Sequence, residues 1–148
     1  FCLVGNVLDE FRAEFEQKLE GAGVKYLGHI RDIRPQLKDC DVVVLPSYYN
    51  EGTPKILIEA AATGRAIITS DMPGCRDLVS NCNGYKVRTK DAYDLLEKFF
   101  LFVGLTDTQV KKMGEKSRNL AETSYSEELV IKSYLKTFDI VVNKSHTS

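Results

Sequence analysis

Two carboxylates bracket a single helix start in this chain. Glu51 and Glu59 stand eight residues apart in the run EGTPKILIE. An ionised carboxylate only accepts hydrogen bonds, and one such group can take both donors of a vicinal diol, which means ribose or a hexose. Glu59 lies ~7.5 Å along the helix axis from Pro54, whereas Glu51 precedes the helix in its loop. The pair could therefore grip two sugars of one ligand, with a diphosphate between them over the amide groups of Gly52 to Lys55. A nucleotide sugar has hydroxyls at both ends and negative charge in the middle. Thr53 and Pro54 read as N-cap and first-turn residue, and Gly52 admits close backbone approach. Lys55 places a cation in the first turn, where the helix dipole favours an acid, and an anionic ligand would account for it. An alternative stays open on spacing alone: Glu51 as a loop residue and Glu59 on a solvated helix face. Against it, Ile56, Leu57, Ile58, Ala60, Ala61 and Ala62 surround Glu59, and a charge in such company needs a partner or a ligand.

The elements that must position this turn alternate. Phe1 to Val4, Val24 to Leu27, Asp41 to Leu45, Ala66 to Thr69 and Gly84 to Val87 read as strands by length, β-branching and flanking turn residues. Leu8, Phe11, Phe15 and Leu19 recur at helical spacing, closed by Gly21, and Gly64 sits where the helix after Pro54 should end. Strands that are nearly all apolar, alternating with helices, imply a parallel sheet covered on both faces. Ligands of such sheets bind beyond the carboxyl ends of the strands, where helix N-termini point free N–H groups outward. Past Thr89 only helices follow: Asp91 to Val103, a second opened by a Thr106/Gln109 capping box, and a third opened by Ser124 with Glu127 and running to about Val142. The helix carrying Phe99 to Val103 is apolar on more than one face, and its reading is a helix sandwiched between the sheet and the C-terminal helices rather than one meeting a missing partner.

At 148 residues and 43% hydrophobic content, residues 1–148 make one domain's worth of chain. Twenty basic and 21 acidic residues leave a net charge of −1, which speaks against a nucleic-acid surface. The cysteines at 2, 40, 75 and 82 form no C-x-x-C pair and the chain has two histidines, so neither zinc nor a disulfide framework is expected and a reducing cytosol is the simpler setting. No apolar stretch approaches the ~18 residues of a membrane span. FCLVG at the start lacks the charged region of a signal peptide.

From Pro46 to Val79, PSYYNEGTPKILIEAAATGRAIITSDMPGCRDLV resembles the donor-binding segment of the GT-B retaining glycosyltransferases, the glycosyl transferases group 1 family. YLGHIRD, from Tyr26, is similar to that family's loop after its third strand, and NGYKV, from Asn83, to its last strand. The segments MGEKSR and SYSEE fit as well, so the resemblance covers most of the chain. It implies a Rossmann-like open parallel sheet with helices on both faces, the C-terminal half of a GT-B enzyme. It further implies that Glu59 binds the ribose hydroxyls and that Glu51, the candidate catalytic residue, contacts the transferred sugar. Gly52, Thr53 and Lys55 would face sugar and diphosphate through their backbone N–H groups. No cofactor and no metal are implied beyond the nucleoside-diphosphate sugar itself. EGTPK and DMPGCRD are similar to members that build bacterial surface polysaccharides on a lipid carrier. That implies a lipid-linked or glycan acceptor, a cytoplasmic setting at the inner face of the cell membrane, and peripheral membrane association of a full-length enzyme. The chain departs from the family in starting at what resembles its second strand, without the first strand and the Arg- and Lys-bearing loop. The N-terminal domain is also outside it, so the piece alone should be inactive. In the 3-2-1-4-5-6 order the first strand is central, and its loss leaves unpaired sheet edges.

Other residues carry less. His29, after Gly28 at a strand end, could lie near the nucleotide base, but it reads first as a surface or loop histidine. Asp71 to Gly74 could line the same cleft or form a plain turn, Arg76 and Asp77 read as a charge pair at a helix start, and Cys75 as a packing residue. LVGN at Leu3 to Asn6 lacks the dinucleotide-binding glycine spacing. A receiver-like or nucleotide-sensing module is the rival class. It would need acids at strand ends where Asn6, Pro46 and Arg88 stand. A sugar-nucleotide epimerase is a second enzyme alternative, whose acid-rich signature after the helix is not seen.

Overall fold

The computed structural model describes residues 1–49 and 52–145, with side chains described through Phe138. The chain divides into two compact units, residues 1–35 and 36–148. In the first, β1 (Cys2–Leu3) runs parallel to β2 (Lys25–Tyr26), with Cys2 opposite Lys25 and Leu3 opposite Tyr26. A 3-10 turn (Asp9–Phe11) and α1 (Arg12–Leu19) connect them. The Tyr26 hydroxyl donates to the Gly5 carbonyl at 2.8 Å, and the Phe15 ring meets Tyr26 edge-on at 4.9 Å. The apolar row expected to form a buried helix face does not do so. The α-helix begins only at Arg12, Leu8 is 65% and Phe11 53% exposed, and no residue of α1 is buried. A ladder of two-residue strands offers too little surface to cover that row.

The second unit holds three parallel strands in the order β3 (Val42–Leu45), β4 (Ala66–Ser70), β5 (Gly84–Val87). Val43 pairs with Ile67, and Ile68 with Tyr85. All five residues of the central β4 are buried, as a strand covered on both faces requires. Ala66, Ile68, Val87 and Phe102 form a core cluster, with Val42, Val44, Leu105 and Met113 packed against it. The expected single sheet is thus two parallel ladders, β1-β2 and β3-β4-β5. Among the described residues β3 pairs along one edge only, with β4.

Five helices follow: α2 (Arg34–Asp39), α3 (Lys55–Ala62), α4 (Ala92–Val103), α5 (Asp107–Ser124) and α6 (Glu127–Ser145). α3 is capped by Pro54 rather than Thr53. Pro54 keeps an extended ψ of 127° while its carbonyl accepts from Leu57 at 3.0 Å and Ile58 at 3.4 Å. A proline just outside the helix satisfies the φ requirement without entering it, leaving Thr53 one position too early. Gly64 ends α3 as expected, at φ +70°: its N–H bonds Ala61 and the Arg65 N–H bonds Ala60, both at 2.9 Å, a Schellman ending.

The Thr106/Gln109 capping box forms, with the Gln109 side chain accepting the Thr106 N–H at 2.9 Å. The next expected cap does not: Ser124 is the last residue of α5, and the Ser126 carbonyl takes the first bonds of α6, from Leu129 and Val130. Nor is α4 sandwiched. Phe102 enters the core, but Tyr93, Leu96, Phe100 and Val103 are exposed, from 51% at Leu96 to 86% at Tyr93. α5 instead crosses α3 and lies along β4.

Candidate functional site

Two buried hydroxyls at the end of β4 anchor the loop that leaves β3. Thr69 Oγ1 donates to the Leu45 carbonyl at 2.7 Å and Ser70 Oγ to the Ser47 carbonyl at 2.8 Å. The loop then runs to α3, whose first turn opens at the carboxyl end of the sheet. Glu51 lies outside the described residues, so the bracketing pair is described on the Glu59 side alone. Gly52 and Thr53 are exposed, Pro54 is buried, and a Cβ added at Gly52 would meet nothing within 4 Å. Lys55 and Ile56 are the first two helical residues, and their N–H groups have no intrahelical acceptor.

Glu59 has a partner within the chain. Its Oε1 lies 3.4 Å from Lys55 Nζ, one turn earlier, with the Glu59 side chain 32% exposed and Lys55 87%. The two charges that the sequence alone made exceptional in an apolar helix thus answer one another. Such an i,i+4 pair is worth only about 0.3–0.5 kcal/mol, so it holds the carboxylate without committing it. Leu57, Ala60 and Ala61 bury the opposite side of α3.

The turn after β4 is tied down by Arg76. Its guanidinium donates to the Asp71 carbonyl at 3.0 Å and pairs with the Asp71 carboxylate at 3.2 Å, so the expected Arg76/Asp77 pair is replaced by a longer reach. Gly74 takes φ +83° within that turn, and Cys75 is buried as a packing residue. His29 belongs to the first unit, where it is exposed and follows Gly28 at φ +65°. Nearby, Arg34 clasps Asp32 through two bonds of 2.8 Å and holds its carboxyl down at about 2.

A groove of about 710 Å³ opens at the other end of the three-stranded sheet. Asp41 and Arg65, which precede β3 and β4, line it together with Lys111, Gly114 and Arg118 of α5. Parallel sheets take ligands at the carboxyl ends of their strands, so the α3 mouth remains the candidate.

Three features at or beside the sheet were not anticipated. Asn83, buried, ties the loop before β5 to α5: its Nδ2 donates to the Leu78 carbonyl at 2.9 Å and to Ser117 Oγ at 3.2 Å. Asp94, also buried, accepts the Arg88 N–H at 2.6 Å, and that bond, aided by the Lys98 and Arg88 cations, holds its carboxyl below the usual range. Tyr48 and Tyr49 project beside the loop, their rings 5.0 Å apart, with Lys90 Nζ 4.2 Å over the Tyr48 ring. The paired tyrosines at 48 and 49, one residue short of Glu51, were a visible signal; the Lys90 contact has no local one.

Parallel strands, helices on the sheet and an open helix mouth at the strand ends define a Rossmann-like α/β architecture. Residues 1–104 match the family model described as Glycosyl transferases group 1, and the chain belongs to that family. It is 37% identical over 143 residues to N,N'-diacetylbacillosaminyl-diphospho-undecaprenol alpha-1,3-N-acetylgalactosaminyltransferase of Campylobacter jejuni, a match covering 96% of this chain and 37% of that protein. Among solved structures, a glycosyltransferase from Rickettsia africae superposes with a TM-score of 0.86 at 19% identity, covering 95% of this chain and 39% of the other. HepE of Anabaena, in complex with UDP, gives 0.82 at 21% identity, covering 93% and 40%. The chain therefore spans about two fifths of the length of these relatives.

Proposed function

We propose that residues 1–148 form part of the nucleotide-sugar-binding domain of a retaining, metal-independent glycosyltransferase that works with a separate N-terminal GT-B domain. The observation that carries this reading is the α3 mouth. Free first-turn amides sit at the carboxyl end of a parallel sheet, and Glu59 is held half-buried one turn in by a weak ion pair. Glu59 would exchange Lys55 for the ribose hydroxyls of the donor, releasing the Lys55 cation toward the diphosphate. Glu51 would contact the transferred sugar, and Gly52, Thr53 and Lys55 would offer backbone N–H groups to the sugar and diphosphate. Catalysis of this kind consists of holding the anomeric carbon in place and stabilising the departing diphosphate with fixed donors and cations.

The acceptor class we propose is supported by the Campylobacter relative, whose name specifies a diphospho-undecaprenol-linked sugar. By that likeness we place this enzyme's acceptor on a lipid diphosphate and its work at the cytoplasmic face of a membrane, attached peripherally. Among the described residues no helix is long and apolar enough to cross one.

In the intact enzyme, Glu59→Gln should weaken nucleotide-sugar binding, read by calorimetry against UDP, GDP and ADP sugars. Glu51→Gln should lower kcat with a smaller effect on binding. Unchanged affinity and rate in both variants would remove this mechanism.

A further inference from the structure

We propose that Tyr48, Tyr49 and Lys90 form a recognition shelf for a sugar diphosphate, the aromatic faces taking the pyranose ring and the Lys90 ammonium a phosphate oxygen. The inference rests on the transferase reading and extends it to residues outside the two-carboxylate turn.

Tyr48 and Tyr49 are 53% and 78% exposed just beyond the carboxyl end of β3, the end at which a parallel sheet binds its ligands. Two adjacent large rings left in water need a reason, and their mutual arrangement supplies one. They stand 5.0 Å apart at 70° to each other and so make an angular corner rather than a flat patch. A pyranose offers a face of C–H groups with slight positive character, which suits the negative face of an aromatic ring, while its hydroxyls can reach the phenol oxygens.

Lys90 arrives from a different strand. It follows β5, beyond the intervening β4, and its Nζ rests 4.2 Å over the Tyr48 ring. It stands at φ +65°, the only positive φ at a non-glycine among the described residues, inside the turn that the Asp91 N–H closes on the Arg88 carbonyl at 3.3 Å. A side chain rarely accepts that backbone region, and residues that do so concentrate at functional positions. The surrounding acids do not explain it. Asp91 and Asp94 pair with Arg88, and Asp94 also with Lys98, so among the described residues no carboxylate answers the Lys90 charge. An ammonium kept on an aromatic face beside an open corner is available to an anion carried by whatever stacks in that corner.

A sugar diphosphate is present both in a nucleotide-sugar donor and in a lipid-diphosphate-linked acceptor, and steady-state kinetics separates them. With the intact enzyme, KM is measured for each substrate in turn for Tyr49→Ala, Tyr49→Trp, Lys90→Ala and Lys90→Arg, beside the affinity for the free nucleoside diphosphate. Tyr49→Ala and Lys90→Ala should each raise KM for one and the same substrate roughly three- to tenfold, the range of one aromatic or cation contact, and Tyr49→Trp and Lys90→Arg should restore much of it. A rise confined to the acceptor, with nucleotide affinity kept, assigns the shelf to the acceptor; a rise confined to the donor assigns it to the donor sugar. Tyr49 is mostly exposed, so its variants leave the core untouched. If both KM values stay at wild type in an enzyme whose nucleotide-sugar binding still depends on Glu59, the shelf is refuted and the transferase reading stands. If Glu59→Gln also leaves binding unchanged, that reading falls with it.

Discussion

Gly114→Ala tests what fixes the position of α3. Gly114 lies inside α5 where that helix crosses the end of α3. A Cβ placed on it would sit 3.1 Å from the Gly64 carbonyl carbon and nearer still to the carbonyl oxygen. In an open helix the same substitution stabilises by about 1 kcal/mol through propensity alone. Here the obstacle is backbone rather than the end of a flexible side chain, so α5 must withdraw, and forced overpacking costs about 1–3 kcal/mol. Withdrawal also stretches the bond from the Arg118 guanidinium to the Ala62 carbonyl, worth about 1 kcal/mol. The balance is a loss of roughly 1–3 kcal/mol, or about 3–9 °C in Tm for a chain of this size. Thermal unfolding followed by circular dichroism reads it directly. Gly104→Ala is the control, since its nearest neighbour would be the Phe100 carbonyl oxygen at 3.5 Å, an ordinary contact, and its melting temperature should hold or rise. A Gly114→Ala protein that melts at or above wild type would show that helix propensity outweighs the crossing and that α5 does not set the α3 position.

Two further predictions concern the buried polar groups. Asn83→Ala removes bonds to Leu78, Ser117 and Ser80 from a residue 1% exposed, and leaves their partners without it. It should cost about 2–4 kcal/mol in urea unfolding, and a loss below 0.5 kcal/mol would refute the anchoring role. Asp94 is held ionised in the fold by the Arg88 N–H and the neighbouring cations. A depressed folded value contributes stability that is complete above the unfolded aspartate pKa of about 4 and is lost as pH falls through the folded value. Wild type should therefore exceed Asp94→Asn in stability at pH 7 and converge on it toward pH 2; a gap that does not vary with pH contradicts this.

Local pattern was decisive where it left few alternatives. β3, β4 and β5 fall within one residue of the runs read for them, because a short β-branched apolar stretch between turn residues has few alternatives. The Thr106/Gln109 box and the Gly64 ending are likewise statements about adjacent residues. The failures are of another kind. Thr53 and Ser124 are both sound capping residues placed beside better-positioned neighbours, and only backbone angles separate the choices. The burial of α4 was misjudged because composition says how much apolar surface a helix carries, not what lies across from it. Lys55 with Glu59 was legible as an anomaly but not as a pair. Asn83 and Lys90 owe their roles to residues far away in the chain, Ser117 and Tyr48, which leave no mark in a window of sequence. The partners of Asp94 lie within six residues of it, and only the backbone turn that brings the Arg88 N–H onto its carboxylate was hidden.

The geometry of α3 explains how its mouth can stay open. A helix of eight residues has no stability of its own, so its order must come from elsewhere. It comes from the buried Leu57, Ala60 and Ala61 and from the far end, where the Schellman turn at Gly64, the Arg118 bond and the Gly64/Gly114 crossing converge. Thr63 adds its hydroxyl to the Glu59 carbonyl at 2.8 Å. With the C-terminal end fixed in this way, the N-terminal turn need not bond to anything to remain in place. Its free amides, and a glutamate whose side chain is paired among the described residues with a surface lysine alone, are then available to a ligand at little reorganisation cost. The same logic predicts the direction of coupling: loosening the Gly114 crossing should weaken nucleotide-sugar binding at the opposite end of α3, although no residue near the crossing would touch the ligand.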